Sequence, residues 1–375
     1  MKILTGIDIP YNPFGGSPII CDDWYSCLPY PHKSLFLTMK PSEKKRWWKI
    51  KNVKFLKTTK VRDQELYPKY ISELNKEVSK IINIYKPDVI HMQHLNYGLS
   101  RSFSEICSNI PKIAICHGTD TQIASQSPFF FKNLEYIADK ANMIVFPTKE
   151  MANDFFLVYK KPKKHIIIPH GIPEQAFNKH KIHKKEQLLK MLYAGRLNYF
   201  KGADIAIKSL CFTNSPIHLD IIGNEDQKNF LQELHNIVDQ NRLQNKVSFT
   251  KQITRVSLWK KFSNYDVIVV PSRSLEAFSL TAIEAQARGL VVIYGNGGGI
   301  TNVVGKSGLI INDNRPETLA IIIDKLNNNR NLIIKYRKLG YENAKKYKIA
   351  RQISSLIKSS EKLVRDYSKI TRSLI

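Results

Sequence analysis

The chain has 375 residues, with 58 lysines and arginines against 32 aspartates and glutamates, a net charge of +26; 43% of the residues are hydrophobic and 24% charged. That length suggests two domains, and the near-average globular composition excludes a disordered or collagen-like chain. No apolar run reaches the roughly 18 uncharged residues of a membrane span, and Asp8 interrupts the amino terminus too early for a signal peptide, so a cytoplasmic protein is expected.

Apolar runs of strand length alternate with segments of helical spacing, the pattern of repeated β-α units and parallel sheets. In chain order the first series of strands is predicted at 2–7, 88–92, 112–116, 143–147 and 165–169. A second follows at 189–194, 218–222, 246–249, 266–270, 291–294 and 309–311. Helices are predicted between them at 69–85, 149–156, 201–210, 227–240, 280–288 and 316–327, and the last 40 residues read as helix without strands. The polar, basic stretch from Pro173 to Lys185 is nearly aperiodic, as a linker should be. It gives domains of 1–170 and 171–355, with a helix at about 356–375 packing back on the first. The expected architecture is therefore α/β, two doubly wound sheets facing a cleft, with ligands at the loops beyond the carboxyl ends of the strands.

The segment from Pro271 to Gly289 is the most informative. It places Glu276 in a strand-to-helix turn and Glu284 in the helix that follows. Amides of Phe278, Ser279 and Leu280 at that helix start suit phosphate or sugar oxygens, assisted by the helix dipole. The five cysteines (Cys21, Cys27, Cys107, Cys116, Cys211) form an odd set without a CxxC pair, which supports reduced thiols and no zinc site.

The Glu276-x7-Glu284 spacing, with Tyr193-Ala194-Gly195-Arg196-Leu197 to Lys201-Gly202 before it and Gly297-Gly298-Gly299 to Gly308-Leu309-Ile310 after it, resembles the signature of the retaining glycosyltransferases of family 4. In the first half, Pro13-Phe14-Gly15-Gly16, Lys86 to His91, His117-Gly118-Thr119-Asp120 and Ile168 to Ile172 stand in the order of that family. The resemblance implies a GT-B fold, a nucleotide sugar held by the second domain, an acceptor held mainly by the first, and no required metal or other cofactor. It implies that Arg196 and Lys201 neutralise the donor diphosphate, that Glu276 binds the transferred sugar, and that Glu284 binds the ribose. By the same resemblance His117 lies near the sugar, Gly15 and Gly16 let their loop approach the donor, and Gly223 lines the base pocket. Ala277 and Ser279 stand where the family usually has glycine. The activity implied is a retaining transfer from a nucleoside diphosphate sugar, a UDP-sugar first, to a glycan, lipid-linked or small polyol or aminocyclitol acceptor. A GT-B phosphorylase or epimerase is the nearest rival.

Asp8, Asp22, Asp23 and Asp120, placed in first-domain loops, could meet a cationic acceptor; the alternative is a set of solvated acids and caps. His91, His94, His165 and His170 show no metal spacing and read as structural. Between Lys40 and Arg62 ten basic residues face one acid, Glu43, around Trp47-Trp48. This stretch is either a membrane- or anion-binding surface, which would put the protein at the inner membrane face, or a solvated hairpin with two packed aromatics. Twelve basic residues against three acids between Lys335 and Arg372 read as a solvated helix face. The high charge comes with no nucleic-acid-binding signature, so no nucleic-acid partner is expected. Gly305-Lys306-Ser307 is not a P-loop, because residue 300 is Ile and a strand follows.

Overall fold

The computed structural model describes every residue except 13–14, 42–46, 62, 108, 163, 179–187, 275 and 374–375. Thirteen strands among the described residues form two sheets. The first contains β1 (Lys2–Pro10), β2 (Lys33–Met39), β3 (Val53–Leu56), β4 (Val89–Gln93), β5 (Lys112–Ile115), β6 (Met143–Phe146) and β7 (His165–Ile167), in the order β3-β2-β1-β4-β5-β6-β7. The second contains β8 (Leu189–Ala194), β9 (Ile217–Ile222), β10 (Val247–Thr250), β11 (Val267–Val270), β12 (Val291–Gly295) and β13 (Leu309–Ile311), in the order β10-β9-β8-β11-β12-β13. Every neighbouring pair is parallel. The chain divides into two compact units, Met1–Gly171 with Ile349–Ile375, and Ile172–Lys348.

The strands β11 and β12, in the interior of the second sheet, read as unbroken apolar runs because both faces are covered. Side chains alternate across a strand, and in β8 Met191 and Tyr193 enter one core while Leu192 enters the other. β11 divides the same way, Val267 and Val269 against Ile268, and β12 puts Val291 and Ile293 opposite Val292 and Tyr294. One core is closed by helices that include Ala203–Ser209 and Phe230–Gln240, the other by helices that include Leu280–Ala287 and Ile300–Val304.

In the first unit the helix Tyr67–Tyr85 buries Tyr70, Ile71, Leu74, Val78 and Ile81, a helical spacing of one face, and ends at Lys86 in the left-handed region. The helix Ile349–Ser373 belongs to this unit, with Ile353, Leu356, Ile357 and Leu363 buried.

The strands β2 and β3 are the elements that apolar patterning did not single out. β3 is the edge of its sheet, its Lys54 and Phe55 are exposed, and it lies inside the basic stretch. Lys44, Lys45 and Arg46 of that stretch lie outside the described residues. Trp47 and Trp48 are half-buried and pack around Tyr11 at ring distances of 4.8 and 5.6 Å, and the Trp47 indole N–H donates to the Tyr11 carbonyl at 3.0 Å. Of the two readings of this segment, the packed pair of aromatics describes these rings. No helix among the described residues is long and apolar enough to cross a membrane.

Candidate active site

Each sheet reverses its strand order once, β1 against β4 and β8 against β11, and ligands of open α/β sheets bind at such reversals. In the second unit the loops leaving β8 and β11 bring Lys201 and Glu276 together. The Lys201 ammonium and Glu276 Oε1 form a close ion pair across 75 residues of sequence, and the Ser272 hydroxyl donates to the same oxygen at 2.7 Å. Burial alone would raise the Glu276 carboxyl, but Lys201, Ser272 and the charge of Arg196 outweigh it and hold the group below the ordinary glutamate range.

The turn that carries Lys201 is fixed at several points. Asn198 caps it, its side chain accepting from the Lys201 amide at 3.0 Å. Gly202 has φ +73°, and a Cβ there would lie 2.2 Å from the Pro271 carbonyl, so glycine is required both by conformation and by closeness to the β11 loop. Arg273 clamps the two loops, with bonds of 2.7 and 2.6 Å to the Asp204 carboxylate and 2.7 Å to the Tyr199 carbonyl. Arg196 is largely exposed and donates to Asp226 Oδ2 at 3.0 Å, an oxygen that also accepts from Asn198 at 2.8 Å. The two cations expected to grip a diphosphate therefore lie on one loop, each resting on a carboxylate.

The helix Leu280–Ala287 begins without a side-chain cap. Ser279, at its start, has a left-handed backbone, φ +67°. A residue with a Cβ is strained there, so Ser279→Gly is expected to stabilise the protein by about 0.5–1 kcal/mol. A lower urea midpoint in that variant would show instead that the serine side chain contributes more than the strain costs. Phe278 is buried, edge-on to Tyr347 at 5.3 Å, so its side chain belongs to the core.

Glu284, the residue expected at the ribose, is held by partners within its own unit. Its carboxylate is buried, Oε1 accepting from Arg255 Nε at 2.7 Å and forming an ion pair with Nη2 at 2.6 Å, and Oε2 accepting from the Trp259 indole at 2.8 Å. A ribose would have to share these oxygens or displace Arg255. Gly223 has an internal reason to be glycine, since a Cβ there would sit 2.0 Å from the Gly195 carbonyl. Gly15 caps the helix Gly16–Ser26 with an ordinary extended backbone, and a Cβ on Gly16 would meet nothing within 4 Å, so nothing inside the unit demands glycine at 16. Pro13 and Phe14, beside them, lie outside the described residues.

At the first unit's reversal three imidazoles cluster. His117 follows β5; its ring lies 4.4 Å from His94 and is stacked 5.7 Å from His170. His117 Nε2 is 2.8 Å from Gln93 Oε1, and Nδ1 has no hydrogen-bond partner among the described residues. Burial, then His94 and His170, hold the His117 imidazole well below its usual pKa, and burial brings His170 down to about 3. His94 and His170 thus belong to this cluster, which their lack of metal spacing did not reveal. His91 is structural, bonded to Tyr25 and Ser360.

The acids expected to face a cationic acceptor are internal. Asp22 and Asp23 lie within the helix Gly16–Ser26, not in a loop, and both are buried. Asp22 Oδ1 accepts from the Lys49 and Ile50 amides at 2.7 and 3.1 Å; Asp23 lies 4.0 Å from the Lys49 ammonium. Asp120 is 1% exposed, accepts from the Leu95 and His117 amides at 2.6 and 2.9 Å, and stands 3.4 Å from His94. Asp8 accepts from the Tyr70 hydroxyl at 2.6 Å and the Gly98 amide at 3.0 Å. Buried carboxylates are retained where donors surround them, and these serve as braces of the first unit. Among the described residues no group of three or more His, Cys, Asp or Glu is arranged to hold a metal ion.

A family model described as glycosyltransferase family 4 matches residues 38–176, and one described as glycosyl transferases group 1 matches 174–347. A D-inositol 3-phosphate glycosyltransferase of Jonesia denitrificans is 30% identical over 213 residues, which are 50% of this chain and 49% of that protein. The match thus spans about half the length of that curated relative. Among solved structures, sucrose-phosphate synthase of Thermosynechococcus elongatus superposes with a TM-score of 0.79 at 18% identity, over 96% of this chain and 99% of that one. HepE of Anabaena, in complex with UDP and glucose, gives 0.76 at 16%, over 96% and 99%. These two likenesses are in fold alone, and the fold is GT-B. Because the two family models together run from residue 38 to residue 347, the chain belongs to the family 4 type of glycosyltransferases.

Proposed function

We propose that the chain transfers a sugar from a nucleoside diphosphate sugar, most simply a UDP-sugar, to an acceptor hydroxyl with retention of anomeric configuration. The observation that carries this reading is the Lys201–Glu276 pair at the reversal of the second sheet, with Arg196 on the same loop. An arriving diphosphate would take over the positive charge of Lys201 and Arg196 and release Glu276 for the hydroxyls of the sugar. The acceptor oxygen then bonds to the anomeric carbon on the face from which the phosphate oxygen departs. The bond from that carbon to phosphate breaks, and the leaving phosphate takes the acceptor proton. Fixed cations that stabilise charge growing on the leaving group are transition-state electrostatics. The name of the Jonesia relative supports a phosphorylated polyol as acceptor, and the UDP bound by HepE supports the base. The internal placement of Asp22, Asp23 and Asp120 speaks against a cationic amino sugar.

Thermal unfolding with UDP, GDP and ADP is the direct test. A nucleotide at 100 times its Kd should stabilise the protein by about 2.7 kcal/mol, with UDP expected to give the largest shift. Product anomers read by NMR then decide retention. No stabilisation by any of the three nucleotides would overturn the donor site.

A further inference from the structure

We infer that Gln93 is a positioning residue: it holds His117 as the Nε2–H tautomer, leaving Nδ1 to accept a hydrogen bond from a hydroxyl or amine of the bound substrate. The substrate half of this inference rests on the transferase reading; the tautomer does not.

With the Ser360 and Thr5 hydroxyls donating to carbonyls, which can only accept, the direction of every bond in the chain behind His117 follows. The Ser360 hydroxyl donates to the Leu356 carbonyl at 2.8 Å, so it accepts from His91 Nε2 at 3.0 Å. His91 Nδ1 then carries a lone pair and accepts a hydrogen bond from the Tyr25 hydroxyl at 2.9 Å. On the second branch the Thr5 hydroxyl donates to the His91 carbonyl at 2.8 Å. The oxygens of Tyr25 and Thr5 are left as acceptors, and the Gln93 amide donates to them at 2.7 and 2.9 Å. Both amide hydrogens are used, so the Gln93 oxygen faces His117 and Nε2 of that ring must be the donor, at 2.8 Å.

Thr5, Tyr25, His91, Gln93 and Ser360 are all buried, so water does not compete for these bonds. Turning the Gln93 amide over would reverse each link and strip both carbonyls of their hydroxyl donors. Burial keeps the His117 ring neutral near pH 7, so Nδ1 carries no proton. An unmatched buried acceptor costs free energy unless something completes it. A substrate hydroxyl or amine would complete it, whereas a ligand carbonyl or phosphate oxygen would be repelled. The helix Ile349–Ser373, through Ser360, thereby helps set the chemistry of a residue at the first sheet's reversal.

Nitrogen-15 NMR of histidine-labelled full-length protein reads this directly, with His117→Asn to assign the resonance. At pH 7.5 and without ligand, His117 is expected as the Nε2–H tautomer, and the same signature is expected for His91. Gln93→Met should give a mixed or Nδ1–H signature at His117, while Gln93→Glu, whose carboxylate still accepts from Nε2, should preserve Nε2–H. A wild-type Nδ1–H tautomer would overturn the inference, as would an unchanged signature in Gln93→Met. If Gln93→Met does not fold, the wild-type and Gln93→Glu spectra still decide. On saturation with whichever sugar nucleotide or acceptor binds, the Nδ1 resonance should move as a hydrogen bond forms; an unmoved resonance would remove the substrate contact. A wild-type Nε2–H signature in a protein that binds no nucleotide would leave the chain of bonds standing and remove only the transferase reading.

Discussion

Lys201→Met is expected to lower turnover at least ~10²-fold, the scale of losing one preorganised transition-state contact. It should also destabilise the protein, because Glu276 is then left as a mostly buried carboxylate without its cation. The Lys201 and Glu276 side chains are 25% and 13% exposed, so the loss should fall somewhat below that of a fully buried pair, about 2–4 kcal/mol. The double variant Lys201→Met/Glu276→Gln separates the two effects. Removing both charges should restore most of the stability, since only the Ser272 bond to that side chain remains to be satisfied, while turnover stays low. Urea midpoints and initial rates on the three proteins check this. A double variant that recovers activity along with stability would show that the pair only holds the loops together. Near-normal rates in Lys201→Met would remove the diphosphate assignment itself.

The alternation of apolar runs and helical segments made all but β2 and β3 legible, because an interior strand of a parallel sheet must be apolar on both faces; β2, interior and apolar from Leu35 to Leu37, carried that signal and was passed over. β3 escaped for the opposite reason: an edge strand has little core to fill, and Lys54 and Phe55 face solvent. That Lys201 and Glu276 share one site was expected only through the family resemblance, and their direct ion pair was not expected. Asp226, Asp204, Arg273 and Gln93 were not legible, since each acts through a partner 24 to 74 residues away that no local pattern announces. The first-domain acids were misplaced because charge alone suggests a loop. Asp22 instead sits inside a helix, where the amides of Lys49 and Ile50 offset its burial. For Glu284 the resemblance implied a ribose, but nothing local announced that Arg255 and Trp259 hold its oxygens.

Acid should destabilise the first unit well above the pH at which carboxylates titrate. Burial lowers the pKa of His91 and His170 to about 3 and that of His117 well below its usual value, while an unfolded histidine titrates near 6.5. Between those limits the unfolded chain binds up to three protons that the folded one excludes, so stability falls as pH falls below about 6.5. Each proton contributes about 1.4 kcal/mol per pH unit, and the three together about 4 kcal/mol per unit. Asp120 and Glu276 act in a separate window: their folded pKa values are depressed, so their contribution is complete above the ordinary carboxylate range and is lost only below about pH 4. Urea midpoints at pH 7.5, 6.5, 5.5 and 4.5 should therefore already drop steeply between pH 6.5 and 5.5, above the ordinary carboxylate range. His170→Asn, which places a neutral group of similar size in the cluster, should reduce that slope by about a third, the share of one proton in three. Midpoints that stay level from pH 7.5 to 5.5 would mean that the three imidazoles are reached by water and take up protons in the folded protein.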